Sequence, residues 1–254
     1  MNTSRQTNRL RLIDTLRGIT VISMVIYHFC WDLASFRIGL TDDTLKSTPV
    51  YIWQQSICWV FILLAGYSFN LGRHHLKRGL MSLLSGIVIT LVTVNFLYDQ
   101  RIIFGVLWLI GVSILLMIPI DRIFSKSRKQ AGIFIVVSFL LFLLTRDINH
   151  GYLGFEGIRI LELPEFLYNG YFMTFLGFLM PGFFSTDYFS FLPWFFLFCT
   201  GYFSYFLIKG SKIEERFFKH GIGIFEVIGR NSLLIYILHQ PLLYGVVWMI
   251  SKVV

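Results

Sequence analysis

Two histidines stand in apolar surroundings where an ionisable side chain is costly, and each has polar company at helical spacing. His28 falls in Tyr27-His28-Phe29-Cys30-Trp31-Asp32, with Asp32 at i+4. On a helix those two side chains share a face, so the carboxylate could fix the imidazole tautomer and raise the basicity of the other ring nitrogen, as a general base requires. The competing reading is a histidine hydrogen-bonded between helices as packing. His239 falls in Tyr236-Ile237-Leu238-His239-Gln240-Pro241. Tyr236 at i−3 can share its face, and Pro241 frees a backbone carbonyl one turn earlier. A polar trio at a helix break points to a cavity rather than a lipid face. Imidazoles and a phenol of this kind can move a proton and hold a developing oxyanion.

A second set could hold an anion. Asp14 is placed as an N-cap in Ile13-Asp14-Thr15-Leu16-Arg17-Gly18, with Arg17 three residues on. Its plain alternative is a capped, charge-paired helix start. Gly229-Arg230-Asn231-Ser232 opens the last apolar stretch. There Asn231 or Ser232 can cap the helix, and Arg230 lies beside the positive helix end, where an anion is favoured. The histidine pair in Gly72-Arg73-His74-His75 reads as solvated loop. Cys30, Cys58 and Cys199 show neither metal-ligand spacing nor a disulfide framework. No metal is expected, and no phosphate-loop, zinc or nucleophile-elbow motif occurs.

These side chains must be positioned by membrane-spanning helices. The 254 residues are 56% hydrophobic and only 14% charged, against about 25% charged in a soluble domain. Apolar stretches at about 15–36, 50–70, 79–98, 102–120, 130–145, 191–209 and 231–250 approach the roughly 20 residues that cross a bilayer. Lipid leaves backbone groups no partner but the helix itself. The expected fold is therefore all-α: one polytopic transmembrane domain over 1–254, with about seven spans. The stretch at 130–145 is the shortest. No internal repeat is apparent, which weakens an inverted-repeat transporter reading.

Basic residues set the orientation. With the N-terminus in the cytoplasm, the inner segments hold Arg5, Arg9, Arg11 and Arg17, then Arg73, Lys77 and Arg78. They also hold Arg122, Lys126, Arg128 and Lys129, then Lys209, Lys212, Arg216, Lys219 and Arg230. That is 16 of the 22 Lys and Arg. The net charge of +8 then reports orientation and not nucleic acid. The acids Asp32, Asp42, Asp43, Asp99, Asp147, Glu156, Glu162, Glu165 and Asp187 fall on the outer side. No removable signal peptide is expected; the first span is itself the targeting signal. Residues 146–190 read as an outer lid or interfacial segment, because an eighth span within 166–180 would reverse the later charge bias. Residues 211–228 read as an amphipathic helix on the cytoplasmic surface.

The two histidine segments and the Asp14–Gly18 segment carry a resemblance. So do Phe61-Ile62-Leu63-Leu64-Ala65-Gly66-Tyr67-Ser68, Phe104-Gly105-Val106-Leu107, Ile110-Gly111-Val112-Ser113, Asp187-Tyr188-Phe189, Leu192-Pro193-Trp194 and Gly229-Arg230-Asn231-Ser232-Leu233-Leu234-Ile235-Tyr236. In this order they resemble a bacterial membrane family related to the catalytic domain of heparan-α-glucosaminide N-acetyltransferase. The resemblance implies a multi-pass enzyme of the bacterial cytoplasmic membrane. It would move an acetyl group from cytosolic acetyl-CoA to an extracytoplasmic glycan or small-molecule amine or hydroxyl. The eukaryotic enzymes have Asn at the position of His28, and their catalytic His lies in the outer loop where this chain has Gly39. Trp108 stands where the bacterial branch would have His. The expected base is therefore His28 oriented by Asp32, with Tyr236 or His239 at the oxyanion and Arg17 and Arg230 at the CoA phosphates. Asp14, Asn231 and Ser232 complete the expected donor site. The rival readings are a proton-linked carrier or flippase for a sugar-like or lipid-linked solute, and an envelope scaffold. Acetyl-CoA binding separates the first rival from the enzyme. The expected partners are the lipid bilayer, the acyl-CoA donor and the extracytoplasmic glycan or small-molecule acceptor, with no nucleic acid; a homodimer is left open.

Overall fold

The computed structural model describes residues 10–124 and 126–253, with all of their side chains but that of Asp42. Arg5 and Arg9, assigned to the inner side, and the Asp42 side chain, assigned to the outer, lie outside what is described. The order is α1 Arg11–Ser35, α2 Asp42–Leu45, α3 Thr48–Phe69, α4 His75–Phe96, α5 Val106–Ile123 and α6 Arg128–Leu144. There follow β1 Tyr152–Phe155, β2 Ile158–Glu162, α7 Tyr171–Leu176, α8 Phe191–Ile208, α9 Gly223–Arg230 and α10 Ser232–Ile250. Among the described residues seven helices are long and apolar enough to cross a membrane: α1, α3, α4, α5, α6 with the turn that follows it, α8 and α10. At 18–25 residues they measure about 27–37 Å, matched to a hydrocarbon layer of about 30 Å. The chain is an all-α polytopic membrane protein.

It divides into two compact units. The first comprises the residues to Phe61 and from Ile208 onward; the second comprises Ile62–Leu207. Each is pinned by a reciprocal glycine contact that brings two backbones together. In the first, a Cβ on Gly18 of α1 would lie 2.0 Å from the Phe225 carbonyl oxygen of α9, and one on Gly229 of α9 would lie 1.9 Å from the Asp14 carbonyl oxygen. In the second, a Cβ on Gly66 would lie 2.0 Å from the Phe198 carbonyl oxygen, and one on Gly201 would lie 2.1 Å from that of Leu63. Small residues do this in membranes because close packing, not water exclusion, drives helix association there.

Beyond His150, where the candidate span that begins at Arg128 ends, residues 151–190 contain no span. β1 and β2 form an antiparallel hairpin, joined by Glu156 (φ 48°) and Gly157 (φ 90°). Two positive φ angles make the primed turn whose twist suits a hairpin. Buried Asp147 anchors it: Oδ2 accepts the Gly157 N–H at 2.8 Å and the Tyr152 hydroxyl at 3.2 Å. The apolar run at 166–180 yields a 3-10 turn at Glu165–Leu167 and the six-residue α7, the latter bounded by Gly170 and Gly177, both at positive φ. Tyr188 donates its hydroxyl to the Thr174 carbonyl at the end of this segment, and burial pushes its phenol pKa up.

Three expectations need correction. Residues 102–104, read as the start of a span, are not helical. Arg101 and Phe104 accept backbone N–H groups from Thr186 and Phe189, and Ile103 donates to Ser185 Oγ at 2.9 Å. Residues 211–228 do not form one surface helix: a π turn at Glu214–Phe218 is separated from α9, and α9 packs on α1 with Glu226 only 3% exposed. Of the loop histidines, His74 is exposed, but the His75 ring stacks on Phe69 with centroids 3.9 Å apart.

Candidate active site

All of the site residues expected from the sequence lie in the first unit, on α1, α9 and α10 and the turn between the last two. They fall into two groups.

The first group is ionic. α1 starts at Arg11 with Leu10 in the cap position, so Asp14 is not the N-cap; it lies in the first turn. There its carboxylate still complements the positive helix end. Arg17 donates to Asp14 Oδ1 at 3.4 Å, and Arg230 Nε stands 3.7 Å from Oδ2. Glu226, which the sequence reading passed over, joins the two helices: its Oε1 pairs with Arg11 at 2.8 Å and its Oε2 with Arg230 at 3.1 Å. Among the described residues, three guanidinium groups thus face two carboxylates, leaving a positive excess. Asn231 and Ser232 are adjacent in sequence, yet neither side chain caps α10; Asn231 Nδ2 turns back to the Val227 carbonyl at 2.9 Å.

The hydrogen bond from Arg11 holds the Glu226 carboxyl below its usual 4.5, against burial and with help from the charges of Arg11 and Arg230. A depressed folded-state pKa adds stability that is complete above the unfolded value and lost as pH falls through the folded one. The thermal midpoint should therefore drop on acidification below pH 4.5. Glu226→Gln should lose that component of the pH dependence. Identical profiles for the two proteins would show that the α1–α9 clamp does not depend on this charge.

The second group is the histidine pair. The rings of His28 on α1 and His239 on α10 meet edge to face, with centroids 4.9 Å apart. His239 is 8% exposed. Its Nδ1 lies 2.6 Å from the Tyr236 carbonyl oxygen. A carbonyl only accepts, so Nδ1 carries the hydrogen and the neutral ring keeps its basic lone pair on Nε2. The Tyr236 ring lies 5.4 Å from that of His239 and 6.4 Å from Phe61. Tyr27 packs edge-on to both His28 and Trp53, and Trp53 Nε1 donates to Ser23 Oγ at 2.8 Å. These aromatic walls hold the imidazoles in place.

The i+4 pairing of His28 with Asp32 is not formed; no hydrogen bond or ion pair joins them. Asp32 is 1% exposed and accepts at Oδ1 from Gln240 Nε2 at 2.9 Å. Helical spacing put the carboxylate on the histidine's face, but an amide from another helix reached it first. Sequence spacing within α1 carries no trace of that.

Two positions flagged by the resemblance lie elsewhere. Gly39 is exposed at φ +68° with nothing near it. Trp108, in the second unit, donates its indole N–H to Thr90 Oγ1 at 3.2 Å. Among the described residues no three His, Cys, Asp or Glu gather as metal ligands. Cys30, Cys58 and Cys199 form no disulfide with one another.

Compared with known families, residues 9–241 match the one described as Heparan-alpha-glucosaminide N-acetyltransferase, catalytic. No curated protein and no solved structure matches the chain.

Proposed function

Since this chain belongs to the heparan-alpha-glucosaminide N-acetyltransferase catalytic family, and is on that ground a membrane acetyltransferase, we propose that it carries acetyl across the cytoplasmic membrane. The donor is cytosolic acetyl-CoA. The acceptor is a hydroxyl or amine, on a glycan or sugar-like molecule, at the outer face. The observation that carries this reading is the contact between His28 and His239, with the tautomer of His239 set by the Tyr236 carbonyl.

In this mechanism His239 Nε2 takes the proton from the acceptor O–H or N–H as the oxygen or nitrogen attacks the thioester carbon. The role first expected of His28 passes to His239, because a hydrogen bond orients the latter. An N–H of His28 donates to the oxygen that becomes negative, and the Tyr236 hydroxyl is the second candidate donor. The tetrahedral intermediate collapses with cleavage of the C–S bond. The imidazolium of His239 returns the proton to the departing CoA sulfur. At the inner end Arg17, Arg230 and Arg11 supply the positive excess for the CoA phosphates. Asp14 and Glu226 hold those guanidinium groups in place, and the α10 N-terminus at Asn231-Ser232 adds backbone N–H groups.

The test is incubation of membranes with radiolabelled acetyl-CoA, with and without the protein, following label into envelope glycans and lipids. Protein-dependent labelling is expected. Absence of labelling together with absence of acetyl-CoA binding would favour a carrier, for which the two imidazoles would relay protons.

A further inference from the structure

The bond between Asp32 and Gln240 leaves an imbalance beside the histidines. A carboxylate can only accept, so the Gln240 amide must turn its nitrogen toward Asp32 and its oxygen away. That leaves two acceptors, Asp32 Oδ2 and Gln240 Oε1. Both are buried, and neither has a hydrogen-bond donor among the described residues. Among the described residues Asp32 has no ion pair with Arg or Lys either, although it is 1% exposed. Desolvated acceptors without donors are unfavourable, and a carboxylate most of all. The pair also joins α1 to α10, the helices that carry the two imidazoles, with Gln240 next to His239 in the chain.

We propose that Asp32 and Gln240 form the acceptor subsite, and that it selects a molecule presenting at least two hydrogen-bond donors besides the group to be acetylated, such as the several hydroxyls of a sugar or its hydroxyls beside an amine. This rests on the acetyltransferase reading above and extends it. One donor goes to Asp32 Oδ2 and a second to Gln240 Oε1. The group to be acetylated is then left to the imidazoles. Asp32 and Gln240 are positioning residues here: they hold the acceptor and take no proton from it. An alcohol with a single hydroxyl must give that hydroxyl either to the subsite or to the base, so it is a poor acceptor. A sugar satisfies both.

The full chain in lipid nanodiscs is assayed with acetyl-CoA and three acceptor probes: methyl glucoside, glucosamine and cyclohexanol. The wild type is expected to acetylate the sugars in preference to cyclohexanol, and the better of the two sugars tells hydroxyl from amine recognition. Asp32→Asn keeps the size but turns one acceptor into a donor. It should raise the KM for the sugars about tenfold or more, as loss of a buried charged hydrogen bond implies, with the KM for acetyl-CoA unchanged. Gln240→Met is the second variant should the first fail to fold, with the same expected split. Unchanged sugar KM in a folded variant of either kind would overturn the subsite. A readout without turnover separates the two readings. Dicyclohexylcarbodiimide should modify Asp32, seen by peptide mass, and methyl glucoside or glucosamine should slow it. Protection without any acetyl transfer would sink the acetyltransferase reading and keep the subsite. Transfer without protection would do the reverse.

Discussion

His239→Ala is expected to lower acetyl transfer by about a hundred- to ten-thousand-fold, the usual worth of a positioned general base, while the protein still inserts and binds acetyl-CoA. The ring is small enough for its loss to leave α10 in place, yet it supplies a nitrogen whose basicity is set by a hydrogen bond, through Nδ1 to the Tyr236 carbonyl. His28→Ala should fall less far, because an oxyanion donor can be replaced in part by the Tyr236 hydroxyl. The measurement is the rate of label transfer from acetyl-CoA by purified variants, with insertion checked by membrane fractionation. Full activity in His239→Ala would remove the base from this account. A deeper loss in His28→Ala than in His239→Ala would exchange their roles.

The second large effect concerns packing. Gly229→Ala places a methyl 1.9 Å from the Asp14 carbonyl oxygen, and Gly18→Ala places one 2.0 Å from that of Phe225. Both obstacles are backbone, so no rotamer can relieve them and α1 and α9 must separate. Overpacking of this kind costs about 1–3 kcal/mol, occasionally more. Separation also pulls Glu226 and Arg230 from Arg11 and Asp14, so the affinity for acetyl-CoA should fall along with the unfolding temperature. Gly245→Ala is the matched control: it lies in α10 with nothing within 4 Å, and its effect should be neutral or slightly favourable by helix propensity. Thermal unfolding of the three variants in one detergent decides the matter. Equal midpoints would mean that the helices are not in the close contact described.

The spans could be read from the sequence because length and apolarity alone force a helix in lipid. The charges of Arg17 and Asp14 were readable too, at a spacing that the structure keeps. What was hidden depended on partners far along the chain. Asp32 was assigned to His28 by i+4 spacing, and Gln240, 208 residues away, claims it instead. Glu226 looked like one more charge on a surface helix. The glycines at 18 and 229 bring α9 close to α1, and there Glu226 is buried. Those glycines were visible, and Gly229, three residues after Glu226 and so close to its face of the helix, was the signal that could have been followed. The hairpin went unseen because β2 is exposed along its length and shows no clean alternation; Glu156-Gly157 was its one turn signal.

The most direct test of transfer across the membrane uses proteoliposomes with glucosamine or methyl glucoside sealed inside and labelled, membrane-impermeant acetyl-CoA added outside. Labelled product in the lumen, present with wild type and lost with His239→Ala, is the predicted result. Product that forms only when acceptor and acetyl-CoA share the same side would contradict a path for acetyl through the protein.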